Sequence, residues 1–352
     1  MKDRIYVCHT FYHVYITFLK EFALKEPGKG ATLVLSLMSN NFGELAERTR
    51  ALGFFEEVVE FDEKRDTFFP ELAELKTDRG NIVSNMLQRI KFTKKFAKLQ
   101  EPFVPVDFRV YKEVYVYCDT DPIGLYLSQK HIYYHAVEDG LDCLKTLDLA
   151  RISNAGHFEI KAVFAALNLI HIENGYSKYC LDMEVNDISV IEHKYKKYKE
   201  VPRRPLYERL TAENKKMLLK AFVSNEEELQ GQIRHAAEDG RKAVLILSDP
   251  LCDLETRKRI MEDQLKEFGG NGELVFIKPH PRDVLDYAKE FPDIPLFPST
   301  VPMELLNFFD GLHFDKVVSV YTELGAIDFA DEKIRLGHDF MDKYEDPAIH
   351  RH

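Results

Sequence analysis

Short, continuous apolar runs alternate with amphipathic stretches along most of the chain. Residues 5–9, 31–38, 57–61, 113–118 and 132–137 read as buried strands. Between them, 11–25, 42–52, 81–99 and 123–129 carry apolar residues at helical spacing, as at Val14, Phe18 and Phe22. Unbroken apolar strands separated by helices predict a parallel sheet covered on both faces. The middle is less regular, with a helix over 157–172 and a strand or extended segment over 179–185. Residues 193–204 are polar and basic and run into Val201-Pro202-Arg203-Arg204-Pro205, which reads as a break. The alternation then resumes, with strands at 242–248, 273–278, 294–297, 316–321 and 333–336 and helices at 254–268, 282–291, 303–309 and 323–329.

This pattern predicts an α/β protein of GT-B architecture, two Rossmann-like domains facing a central cleft. The expected domains are 1–205 and 206–352, joined at the basic segment. In open α/β sheets ligands bind beyond the carboxyl ends of the strands, so the residues that follow each strand carry the chemistry.

Composition narrows the picture. The chain has 352 residues and a net charge of −11, which argues against general nucleic-acid binding. Its five cysteines include no CxxC pair and fit reduced thiols. No apolar run approaches the ~20 residues of a membrane-spanning helix. Met1 to Arg4 lead straight into a strand without a signal-peptide pattern, so a cytoplasmic protein is expected, with membrane contact at most peripheral. Neither HExxH nor any other metal-ligand spacing occurs, and no metal or other cofactor is expected.

Four strand ends stand out. Lys278-Pro279-His280-Pro281-Arg282 holds an imidazole between prolines beside cationic groups, which suits a phosphate. Glu138-Asp139-Gly140 puts a carboxylate on a turn, suited to taking a hydroxyl proton. Pro302-Met303-Glu304 opens a short helix with an acid able to accept two ribose hydroxyls. Tyr321-Thr322-Glu323 ends a strand with a hydroxyl where helix N–H groups would be free for an anion. His9, Thr10 and His13 lie at the first strand–helix turn, placed to line the cleft, whereas His135 lies inside a strand and reads as a core group.

The order Glu-Asp-Gly, Lys-Pro-His-Pro, Pro-Met-Glu and a hydroxyl-bearing strand end resembles the bacterial sialyltransferases of glycosyltransferase family 52. The opening Val7-Cys8-His9-Thr10-Phe11-Tyr12-His13 is similar to the start of that family. The resemblance implies an inverting, metal-independent transferase that moves sialic acid from CMP-sialic acid to a galactoside-type hydroxyl of a bacterial surface glycan. It implies that Asp139 is the general base and His280 the acid or electrostatic partner at the CMP phosphate. Glu304 would hold the ribose, and Thr322 with the Tyr321 backbone the phosphate. Lys278 and Pro279 fall in the nucleotide site, and Glu138 and Gly140 beside the acceptor. Tyr321 departs from the family pattern, which often has a serine there. The alternatives are a GT-B transferase with another donor, such as CDP-glycerol, and a non-catalytic glycan-binding protein.

Two stretches, 89–98 and 193–199, mix basic and aromatic residues, as a protein serving a lipid-linked acceptor would. In the first, Ile90 and Phe96 fit a core stripe and the lysines an outer face. The second is the better candidate for peripheral membrane contact. A monomer or a homodimer is compatible with the composition.

Overall fold

The computed structural model describes residues 1–350 except 27, 118, 141–142, 145–147, 225, 239, 271 and 310. The chain divides into two compact units, Met1–Thr211 and Ala212–His352.

The first unit is built on a seven-stranded sheet of β1 (Lys2–Cys8), β2 (Ala31–Ser36), β3 (Glu57–Phe61), β4 (Tyr111–Tyr117), β5 (Tyr134–Val137), β6 (Cys180–Val185) and β7 (Tyr198–Glu200). Every pairing is parallel, in the order β3-β2-β1-β4-β5-β6-β7. The order reverses between β1 and β4, and that is where a doubly wound sheet opens a crevice for ligands. Ile5, Val7, Val34, Val116, Ile123 and Tyr134 belong to its main core.

The second unit has a parallel four-stranded sheet of β8 (Ala243–Leu247), β9 (Leu274–Lys278), β10 (Phe314–Ser319) and β11 (Ala330–Arg335), ordered β11-β10-β8-β9. Its reversal point lies between β8 and β10. Val244, Ile246, Val275, Ile277 and Val318 form its buried seam. The helices Ala212–Phe222 and Glu226–Glu238 precede β8 and were not expected from the sequence.

Several expected elements differ. The basic segment contains an edge strand, β7, and a helix, Arg203–Glu208. Pro205 is tolerated because first-turn N–H groups need no helical partner. The helix expected at 157–172 is Phe158–Ala166, and Asn168 sits at φ 59°, outside helical geometry. The helix expected over 282–291 shrinks to Tyr287–Glu290, because Asp283 draws the Leu285 N–H and the Tyr287 hydroxyl onto its carboxylate. Residues 294–297 make a single bridge, Ile277 to Leu296, in a segment where Pro295 and Pro298 have no N–H to donate. No helix forms over 323–329, which is irregular apart from a turn at 325–326.

The aromatic residues of 193–199 face inward. Tyr195 stacks on Tyr176 at 4.2 Å, Tyr198 is buried, and the Lys197 ammonium donates to the Ser177 and Cys180 carbonyls. This segment therefore lacks the exposed aromatic anchors expected of a membrane-contacting stretch. Over 89–98, Phe96 is buried while Lys91, Lys94, Lys95 and Lys98 are exposed. Among the described residues no helix is long and apolar enough to cross a membrane.

Candidate active site

In the first unit the polar residues gather where β1, β3, β4 and β5 end. Thr10 caps the helix Phe11–Leu24, accepting the His13 N–H at 3.2 Å. In return His13 Nδ1 accepts the backbone N–H groups of His9 (3.0 Å) and Thr10 (3.3 Å). An Nδ1 that accepts places the ring proton on Nε2. That Nε2–H donates to Asp139 Oδ1 at 2.6 Å and approaches the Asp139 carbonyl at 3.0 Å. The ring is fully buried and stacks on Tyr117 at 4.5 Å. Burial pushes its pKa down against the pull of Asp139, so the imidazole stays neutral. The Asp139 side chain remains 38% exposed. A carboxylate oriented by a neutral imidazole and still open to solvent is equipped to receive a proton from a hydroxyl.

His9 is buried too, but in the opposite state. Its Nε2 lies 2.9 Å from Glu63 and 3.3 Å from Asp121. Burial pushes the His9 pKa down, the two carboxylates outweigh it, and the pKa rises to about 9. Glu63 is held by the Ser36 hydroxyl at 2.6 Å and the Ile123 N–H at 2.7 Å. Two histidines four positions apart thus carry different charges, one cationic and one neutral.

Glu138 does not face solvent. It is 3% exposed and pairs with Arg203 at 3.1 Å, while Arg203 also donates to the Tyr12 hydroxyl. The arginine read as part of a linker is therefore an internal support beneath Asp139. Gly140 has no left-handed φ, and a Cβ there would meet nothing within 4 Å. The turn itself does not require glycine. His135 donates to or accepts from Asp182 at 2.7 Å and stacks on Tyr115, as a satisfied structural group.

In the second unit the Lys278-Pro279-His280-Pro281 turn is tied down by Asp283. The His280 N–H donates to the Ser248 hydroxyl (2.9 Å), which donates to Asp283 (2.8 Å). Asp283 also pairs with Arg257 at 2.6 Å and accepts from the Tyr287 hydroxyl at 2.8 Å. His280 Nδ1 accepts the Arg282 N–H at 3.1 Å, so its Nε2 carries the ring proton. Burial and the charges of Arg282 and Lys278 hold this histidine below its usual pKa, opposed by Asp249 and Asp283. The cationic surroundings match the expectation, but no helix N-terminus follows directly.

Lys278 is 5% exposed, and among the described residues its ammonium makes no hydrogen bond or ion pair. Burial pushes its pKa down to about 8, against attraction from Glu304. Glu304 lies in the first turn of the 3₁₀ segment Met303–Phe308. Pro279 lines a separate cavity of about 300 Å³ with Asp283, Tyr287 and Pro298.

At the end of β10, Thr322 is not a helix cap. Its hydroxyl donates to Asp249 Oδ1 at 2.7 Å, and the Val320 and Tyr321 N–H groups donate to Asp249 Oδ2 at 3.0 and 3.2 Å. The Tyr321 hydroxyl pairs with His338 at 3.1 Å. The amides and hydroxyl expected to be free for an anion are instead taken by the Asp249 carboxylate.

The structure adds Glu63, Asp121, Arg203, Asp249 and Asp283 to the residues singled out from sequence. Asp249 and Glu63 each closely follow a strand, and that position could have marked them.

This arrangement of two parallel α/β units with polar strand ends is of the GT-B class, and solved structures share it. The α/β-galactoside α-2,3-sialyltransferase of Photobacterium phosphoreum superposes with a TM-score of 0.51 at 12% identity, covering 95% of this chain and 90% of that one. The GT-B domain of a Photobacterium damselae sialyltransferase gives 0.50 at 12% identity, covering 94% and 90%. A 2,6-sialyltransferase of Photobacterium sp. JT-ISH-224, in a ternary complex with donor product CMP and acceptor substrate lactose, gives 0.53 at 10% identity, covering 94% and 71%. An uncharacterized Haemophilus influenzae protein is 34% identical over 60 residues, which span 17% of this chain and 19% of that protein. The sequence profile of glycosyltransferase family 52 matches residues 53–333, and the chain belongs to that family.

Proposed function

We propose that the protein is an inverting sialyltransferase that moves sialic acid from CMP-sialic acid to a galactoside-type hydroxyl of a bacterial surface glycan, without a metal. The observation that carries this reading is the Asp139 carboxylate held by the neutral His13 Nε2–H at 2.6 Å in a family 52 chain. Support also comes from the ordered motifs and from a fold shared with an enzyme crystallised with CMP and lactose.

In the reaction Asp139 takes the acceptor hydroxyl proton as the oxygen attacks the anomeric carbon. The bond from that carbon to the phosphate oxygen breaks, and CMP leaves. The His280 Nε2–H stabilises or protonates the departing phosphate. Lys278 and Glu304 hold the nucleoside, with Pro279 beside them, and the Tyr321 amide and Thr322 receive the phosphate. His9, Thr10, Glu138 and Gly140 stand around the base.

Thermal unfolding with CMP, CDP, UDP and GDP in EDTA tests the donor, since a ligand that binds the folded state raises the midpoint. Selective stabilisation by CMP is expected. A preference for CDP would replace the donor with a CDP-linked one.

A further inference from the structure

The helix Ile82–Gln100 carries five basic residues and no acidic one, in a chain whose net charge is −11. Val83, Leu87, Lys91, Lys94 and Lys98 follow one another at spacings of three or four, so they share one side of the helix. All of them are exposed. Thr93, Phe96, Ala97 and Gln100, on another side, are buried. The outer stripe is therefore apolar at its start and cationic along the rest.

A second helix widens the apolar part. Met86 and Ile90 pack on the same cluster as Phe158 and Phe164 of the helix Phe158–Ala166, so the two helices are neighbours in the first unit. That helix is apolar on both sides. Ala165 is buried, whereas Ile160, Val163 and the Leu167 that follows turn outward. With Val83 and Leu87, these side chains are 52–66% exposed. Exposed aliphatic groups gathered on neighbouring helices mark an interaction surface.

The charges identify what it meets. Lys91, Lys94 and Lys98 form no ion pair among the described residues, while the acids nearest in sequence have partners of their own. The Asn85 amide donates to Asp78 at 2.7 Å, Glu101 pairs with Lys130 at 2.7 Å, and Glu159 lies 3.7 Å from Arg151. The core of a protein–protein interface is depleted in lysine. A bilayer with acidic headgroups suits both parts of the face, since aliphatic groups enter the acyl boundary and ammonium groups stay at the phosphates. Each lysine near such a surface raises partition roughly fivefold. The negative net charge does not oppose docking, because screening over ~8 Å leaves the bilayer sensing only the nearest side chains.

We propose that the face made by the helices Ile82–Gln100 and Phe158–Ala166 docks on an anionic lipid surface. Val83, Leu87, Ile160 and Val163 enter the interface, and Lys91, Lys94 and Lys98 lie at the headgroups. This face is distinct from the 193–199 segment, and the proposal goes beyond the transferase reading without depending on it.

Flotation of the full chain with vesicles of phosphatidylcholine alone, or mixed with phosphatidylglycerol, tests this. Binding to the mixed vesicles should exceed binding to the neutral ones by roughly tenfold or more and weaken as salt rises. Combined Lys91→Glu, Lys94→Glu and Lys98→Glu should lower it by roughly tenfold or more. Leu87→Ser with Val163→Ser should lower it by roughly threefold or more. Lys216→Glu, Lys220→Glu and Lys333→Glu together change the net charge equally on exposed residues of the second unit and should leave binding intact. Each variant is first checked for a cooperative thermal transition, and glutamine replaces glutamate at Lys91, Lys94 and Lys98 if that variant does not fold. No binding, equal binding to neutral vesicles, or equal loss in the second-unit variant would overturn the proposal. So would sedimentation velocity showing a self-associated parent that Leu87→Ser with Val163→Ser dissociates, without vesicle binding, since the face would then join copies of this chain. Binding is read without donor or acceptor, so failure here and failure of the transferase reading are distinguishable.

Discussion

Replacing His13 with leucine removes a ring that makes bonds at both ends. Its Nδ1 accepts two N–H groups at the start of the helix Phe11–Leu24, and its Nε2–H holds Asp139 at 2.6 Å. Losing the hydrogen bond to a charged acceptor costs about 1.5–3 kcal/mol, and losing the reciprocal cap about 1 kcal/mol more. Leucine fills most of the space at this fully buried position, so the cavity contribution is small. The sum, about 2.5–4 kcal/mol, corresponds to a fall in thermal midpoint of roughly 5–15 °C for a unit of this size. Turnover of the folded variant should fall as well, by roughly a hundredfold or more, because Asp139 loses the group that orients it. Calorimetry and initial rates below the midpoint measure the two effects separately. Thr10→Ala serves as the control, losing the cap while leaving the His13–Asp139 bond. The reasoning fails if folded His13→Leu turns over like the parent, or if Thr10→Ala loses as much turnover.

Three further outcomes follow from the second unit. Lys278→Met should raise the thermal midpoint at pH 7 and weaken CMP binding. Burial lowers the folded-state pKa to about 8, below the unfolded value, so the penalty is present below about 8 and fades as pH rises toward the unfolded pKa. The stability gain should therefore shrink over that window, and a gain independent of pH would contradict this. CMP binding should take up protons near pH 7.5, because His280 is held below its usual pKa by burial, Arg282 and Lys278 until an anionic phosphate arrives. Calorimetric titration in buffers of different ionisation heat measures the uptake, and a result of zero would refute it. Asp283→Asn leaves Arg257 buried without its partner and loosens the His280 turn. It should cost about 3–5 kcal/mol in denaturant unfolding and also weaken CMP binding.

The sheets were legible because parallel strands buried on both faces appear as continuous apolar runs. The helix Leu254–Phe268 and strand Glu57–Phe61 match the pattern residue for residue. The losses came where side chains compete with the backbone. Asp283 turned an expected helix into a loop, and nothing in local periodicity forecasts a carboxylate that gathers the nearby Leu285 and Tyr287 donors together with Ser248 and Arg257 from distant segments. Arg203 read as linker because its partner, Glu138, is far away in sequence. At the site, the strand-end rule found His9, His13, Asp139 and His280. It could not foresee that His13 would be neutral and His9 cationic, since that difference depends on Glu63 and Asp121 arriving from other strands. Nor could it show that Asp249 occupies the cradle at Thr322.

The most direct test of the account follows CMP-sialic acid and lactose by proton NMR with EDTA present, comparing the parent with Asp139→Asn and His280→Ala. The account predicts an α-sialoside and CMP accumulating in equal amounts with the parent, and losses of turnover by orders of magnitude in both variants. No sialoside from the parent, product of retained configuration, or undiminished rates in the folded variants would contradict it.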